Sequence, residues 1–191
     1  MRNTIIVNLF GGPCMGKSTC AAYIFALLKM QGVEVELCTE WVKDKVFEDN
    51  KKVFNNQFYI TGKQSWKISR LFGETDVIVN DCPILNGCVY TDKPYLKSAI
   101  VEEFMSYGSS NINIMLKRVH DYNENGRLQT EDEAIEIDKK LVDILHLKDI
   151  ESDYEEIPYF EVESSQDGAN QITELVLKIL NNLKQEDTEQ C

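Results

Sequence analysis

At 191 residues and 43% hydrophobic content the chain is long enough for one domain with a proper core. A net charge of −12 argues against a broad nucleic-acid-binding face, although it leaves room for a local basic cleft. No apolar run reaches the length of a membrane span and Met1 leads directly into the first strand, so the expectation is a cytoplasmic protein without a leader. The cysteines at positions 14, 20, 38, 82, 88 and 191 form no C-x-x-C pair and have no histidines at metal spacing, which sets zinc and a disulfide framework aside.

Thr4 to Phe10 reads as the first strand and Gly16 to Met30 as the helix after it, closed by Gly32. Val33 to Thr39 alternates as strand two and completes a βαβ unit. Trp41 to Phe72 is helical in character, in two pieces that break near Glu48-Asp49-Asn50. Asp76 to Asn80 is a short apolar strand of the buried parallel kind, ending in Asp81, and Cys82 to Lys93 reads as a loop. A helix over Tyr95 to Tyr107, a strand over Ile112 to Leu116 and a polar segment from Lys117 to Thr130 follow. Thr130 and Glu133 make a capping box for an amphipathic helix over Glu131 to Leu147. Tyr159 to Val162 is a fifth strand and Gln171 to Leu183 a last helix with one apolar stripe. The reading is a single domain over 1–184 and a loose tail over 185–191. Alternating strands and helices build a parallel sheet covered on both faces, with ligands at the carboxyl ends of the strands.

Chemistry concentrates in Gly11 to Thr19, GGPCMGKST, between the first strand and its helix. Gly11, Gly16, Lys17 and Ser18 meet the pattern G-x-x-x-x-G-K-[ST], whose backbone N–H groups wrap around phosphates. Gly12, Pro13, Cys14 and Met15 complete the loop. The helix start behind it aims unpaired N–H groups at the same anion. In that arrangement Lys17 bridges the β- and γ-phosphates of ATP, Ser18 holds Mg²⁺ and Thr19 touches a further phosphate. Cys14 reads either as a redox-sensitive thiol near a helix start or as a small residue in a variable position.

Other candidates lie on the same rim. Glu40, after strand two, is either the base that takes a proton from an attacking hydroxyl or a first-turn helix acid. Asp81 either holds the magnesium shell and Ser18 or opens the turn into Cys82-Pro83. Arg118 and Arg127 flank RVHDYNENGR, a lid over about 118–130, where arginines stabilise charge on a transferred phosphoryl group. Arg118, nearer the sheet, is equally placed to bind the base or α-phosphate. Gln57 and Arg70, on the long helix, are acceptor-side candidates for a base edge and a phosphate. Asp121, Asn123, Asn125, Gly126 and Asp132 follow a calcium-loop spacing, against which stand an Asp at the last place and a strand before the first.

FGGPCMGKST, LCTEWVKD, NQFYITGKQ, VNDCPIL and KRVHDYNENGRLQTEDEA together resemble the nucleoside and nucleotide kinase branch of P-loop proteins. The likeness is closer to the small P-loop kinase-like proteins of tailed bacteriophages. It implies a three-layer α/β fold with five parallel strands, a lid, and Mg-ATP as donor. Similar nucleoside kinases use an acid after strand two as base, matching Glu40, and lid arginines, matching Arg118 and Arg127. The chain departs from several of them in having no arginine beside Asp81.

The expectation is therefore a kinase that moves the γ-phosphoryl group of ATP to a nucleoside- or nucleotide-type small molecule. Two alternatives stay open. One is a kinase of hydroxymethylated bases in phage DNA, which the low basic content disfavours, and the other is a nucleotide-switched binding module.

Overall fold

The computed structural model describes residues 3–42, 45, 48, 51–122 and 130–189. Five strands, β1 (Ile5–Phe10), β2 (Val35–Cys38), β3 (Val77–Asn80), β4 (Asn111–Lys117) and β5 (Phe160–Glu163), form one sheet in the order β2-β3-β1-β4-β5. Every pairing is parallel. The helices are α1 (Lys17–Met30), α2 (Gln57–Ser69), α3 (Pro94–Met105), α4 (Glu131–Leu145) and α5 (Gln166–Glu189).

Strand periodicity sorts β1 between two cores. Ile5, Val7 and Leu9 face α1 and α5, packing with Ile24, Leu28, Ile172 and Val176. Phe10 turns the other way, into Leu85, Ile100, Phe104 and Leu145, and Ile6 packs on Ile68 of α2 and Ile78. Both faces of the sheet are thus covered, giving the three-layer α/β fold expected from the alternation of elements.

Asn8 lies on the second face with no exposure to spare, and its burial requires partners. It stands in register with Asn80 of β3 and Asn113 of β4. Asn80 Nδ2 donates to Asn8 Oδ1 at 2.8 Å, and Asn8 Nδ2 donates to the side-chain oxygens of Asn111 and Asn113 at 2.9 and 3.1 Å. Asn111 and Asn113 pass their own amide hydrogens to the carbonyls of Phe104 and Pro158. A ladder of amides therefore crosses the three central strands.

Element ends differ from expectation in specific places. The segment Cys82 to Lys93, expected as a loop, contains a 3₁₀ helix over Ile84–Tyr90 that buries Leu85 and Cys88. The final helix, expected over Gln171 to Leu183 with a loose tail from 185, starts five residues earlier, because Ser165 Oγ accepts the N–H of Gly168 and carries the first turn, and it runs on to Glu189. Between strand two and Phe72, Trp41, Val42 and Lys45 are helical, and a 3₁₀ turn, Lys51–Asn55, and α2 follow, the latter capped by Asn56, which accepts from Tyr59 N. The Thr130–Glu133 capping box is present in both directions.

Candidate nucleotide site

β1 delivers the chain into Gly11 at the carboxyl rim of the sheet, and the loop closes on α1. Gly11 and Gly16 adopt φ of 148° and 88°, which a side chain would strain, and Cys14 sits at 61° without being glycine. A Cβ on Gly16 would also lie 2.7 Å from the hydroxyl of Ser164, so the turn after β5 backs directly onto the loop. At the start of α1 the N–H groups of Lys17, Ser18 and Thr19 have no acceptor within the helix. Lys17 folds over its own loop, its amine donating to the carbonyls of Gly11 at 2.6 Å and Gly12 at 3.0 Å.

Ser18 Oγ donates to Asp81 Oδ2 at 2.7 Å, which joins the first turn of α1 to the end of β3. Asp81 is buried, and its other oxygen, Oδ1, has no hydrogen-bond partner among the described residues. A buried carboxylate oxygen left open beside a serine hydroxyl is a hard-oxygen donor set of the kind magnesium takes. These two residues fit the ion.

Glu40 follows β2 on the same rim. Its neighbour Trp41 donates its N–H to Oε1 of Gln64, which is buried on α2 and whose amide reaches Cys38 Sγ at 3.5 Å. Gln64 thus fixes the turn that carries Glu40. The charges of the site converge on Cys82: loss of solvent holds its thiol well above the ordinary value, Glu40 raises it further, Lys17 draws it down and Asp81 raises it. Tyr90, although 54% exposed as a whole residue, has its phenol pushed up to about 12 by desolvation and then by Glu40. Glu40, Lys17 and Asp81 therefore share one electrostatic neighbourhood.

Arg118 leaves β4 and lies on the loop. One guanidinium nitrogen donates to Pro13 O at 3.1 Å and another to Asp138 Oδ2 at 3.0 Å, with the Tyr122 ring 5.8 Å away. Asp138, on α4, also accepts from the Gly12 N–H. A Cβ on Gly12 would meet Asp138 Oδ1 at 2.7 Å and the Ala134 carbonyl at 2.8 Å, so glycine here permits the helix to seat on the loop. Sequence reasoning missed Asp138. Its only signal was an acid among the polar residues of an amphipathic helix, and the fold alone brings it to the loop.

Gln57 lies at the rim end of α2, bonded to Thr61 Oγ1 at 3.3 Å and close to Gly87 in the 3₁₀ helix that carries Tyr90. Arg70 caps the opposite end of α2, three residues before Gly73, whose N–H bonds Thr4 at the foot of β1. The structure brings Gln57 toward the 3₁₀ helix of Tyr90, whereas Arg70, at the other end of α2, acts on Cys38 at the end of β2, as Asp81 does. Arg127, with Asn123, Asn125 and Gly126 of the calcium-like spacing, lies outside the described residues. Among the described residues no cluster of three or more His, Cys, Asp or Glu is arranged for a metal, and no helix is long and apolar enough to cross a membrane.

A phosphate loop on β1, an acid at the end of β3 and the order β2-β3-β1-β4-β5 define a P-loop nucleotide-binding fold. The family model described as an AAA domain matches residues 6–165, and the chain belongs to that family. Among solved structures, deoxyadenosine kinase from M. mycoides with bound dATP is similar at 18% identity, over 93% of this chain and 100% of that chain, with a TM-score of 0.49. A gluconokinase from Sinorhizobium meliloti 1021 is similar at 13% identity, over 97% and 99% of the two chains, with a TM-score of 0.45. No curated protein matches the chain.

Proposed function

We propose that the chain is an ATP- and magnesium-dependent phosphotransferase acting on a hydroxyl or phosphate of a nucleoside-type small molecule. The observation that carries this reading is the second carboxylate at the rim. Asp81 is engaged with Ser18, whereas Glu40 enters the same field from β2, on the acceptor side. A carboxylate on the acceptor side, separate from the one that holds Ser18, is what transfer of the phosphoryl group to a second molecule needs.

In this reading the loop N–H groups and Lys17 hold the phosphates, and Lys17 leaves the carbonyls of Gly11 and Gly12 to do so. Ser18 and Asp81 would hold a magnesium ion, which would neutralise charge on the phosphates. Glu40 accepts the proton of the acceptor hydroxyl as its oxygen bonds the γ-phosphorus and the bond to the β–γ bridging oxygen breaks. Arg118, already on the loop, supplies positive charge to the transferring group, and Arg127 is proposed as a second such arginine. Gln57 faces the acceptor.

The test is ADP release with magnesium and a panel of nucleosides and nucleotides, beside Lys17→Ala and Glu40→Gln. Acceptor-stimulated turnover lost in both variants supports transfer. Nucleotide binding with no stimulation by any acceptor, unchanged in Glu40→Gln, overturns it in favour of a nucleotide-switched module.

A further inference from the structure

The outward face of α2 has a composition that the nucleotide site does not use. From Lys51 to Gly73 the chain carries Lys51, Lys52, Lys63, Lys67 and Arg70 and no carboxylate, inside a protein of net charge −12. The acidic excess therefore lies elsewhere, and the whole-chain charge conceals a local reversal of sign.

Helical spacing orders this stretch. Gln57, Thr61, Gln64 and Ile68 form the inward seam, with Gln64 and Ile68 buried. On the opposite side, at steps of four, three and four residues, stand Tyr59, Lys63, Trp66 and Arg70. Ring and cation alternate along one line. Trp66 is 65% exposed and Tyr59 45%, and Phe58, at 70%, flanks the line across Gly62, whose missing side chain leaves open space. Lys63 lies 5.4 Å from the centre of the Tyr59 ring, and the Trp41 ring, next to Glu40, meets Tyr59 edge-on at 5.5 Å. Tyr59 and Trp66 are about 10 Å apart along the axis by the rise of a helix.

We propose that this face binds single-stranded nucleic acid, bases stacking on Tyr59 and Trp66 and phosphates pairing with Lys63 and Arg70. Flat rings interleaved with cations are what an unpaired strand engages, since every base has a stacking face and every linkage a negative charge. A second copy of this chain suits the face less well, because a two-fold contact sets the line of cations against itself. An anionic lipid surface also suits it less well, since cations interrupt the rings along the same line and leave no continuous apolar face to insert. The inference does not depend on phosphoryl transfer at the nucleotide site.

The experiment is fluorescence anisotropy of a labelled thymidine 12-mer against the full chain at low salt, with a salt titration. Saturable binding is expected, with the logarithm of affinity falling against that of salt at a slope of about −1.4 for two cations on a single strand. Trp66→Ala should weaken binding by at least about fivefold, and Lys63→Glu should reduce the slope by about 0.7. Both variants keep wild-type binding of magnesium-ATP, because neither side chain touches the phosphate loop. No binding at low salt overturns the proposal, as does binding that both variants retain. Self-association abolished by Trp66→Ala, without oligonucleotide binding, assigns the face to a second copy. Capture by anionic vesicles alone assigns it to a membrane surface.

Discussion

The Gly12 N–H donates to Asp138 Oδ1 at 2.5 Å, tying the second residue of the phosphate loop to a helix 126 residues later. The other oxygen of the same carboxylate holds Arg118. Asp138→Ala should therefore do two things at once. It leaves a half-buried N–H without its acceptor, costing about 1–3 kcal/mol, and it releases Arg118. Asp138→Asn separates the effects, since an amide oxygen still serves Gly12 but the charge opposite Arg118 is gone. Calorimetry should show weaker nucleotide binding in both variants and a large drop in melting temperature only in the first. Wild-type affinity in Asp138→Asn would show that the placement of Arg118 does not depend on the carboxylate.

Asp81 and Ser18 should govern the metal requirement. Ser18→Ala and Asp81→Asn are each expected to raise the magnesium concentration needed for tight nucleotide binding, by about tenfold or more. Magnesium titrations at fixed nucleotide read this directly. An unchanged requirement in both variants would place the ion elsewhere.

Asn8→Ala tests the amide ladder. Removing the central side chain strands the amide hydrogens of Asn80 and leaves the oxygens of Asn111 and Asn113 short of a donor. With each buried unsatisfied group worth about 1–3 kcal/mol, a loss of at least about 2 kcal/mol is expected in denaturant melts. A loss smaller than about 0.5 kcal/mol, within the range of an ordinary surface change, would mean the ladder contributes nothing.

Alkaline pH should unfold the protein earlier than its charge alone suggests. Burial pushes the Cys38 thiol up to about 11, with Lys67 and Arg70 pulling it partly back and Asp81 raising it. Burial likewise pushes Cys88 up to about 12, against a lowering by Lys97. Above the free-thiol value the unfolded chain has shed these protons while the folded one still holds them. Stability is thus complete below about pH 8.5 and falls as pH rises toward the folded values, by about 1.4 kcal/mol per pH unit for each thiol. Melting temperatures from pH 8 to 11 measure it, and replacing Cys88 with alanine should flatten the decline. A profile identical in that variant would count against the thiol as its source.

Local chemistry made much of this legible in advance. The phosphate loop, the apolar β3 run with its terminal acid, and the Thr130–Glu133 cap each occupy consecutive or closely spaced residues, and each was readable without the fold. Glu40 and Asp81 were placed by topology, because a parallel sheet gathers strand ends on one rim. Contacts between distant elements were out of reach. Asp138 reaches Gly12 only once α4 is seated, and Gln64 looks like any polar helix residue until Trp41 N is seen to need an acceptor.

Asn80 immediately precedes Asp81, and Asn8 lies three residues before Gly11, so the amide pair that joins β1 to β3 stands just beneath the Ser18–Asp81 contact. Parallel strands of Val and Ile could slide past one another by two residues with little change in what they bury. Mismatched amides could not. The ladder therefore works as a surveyor's benchmark: by forbidding slippage it fixes the level at which one strand presents its carboxylate to the loop built on the other.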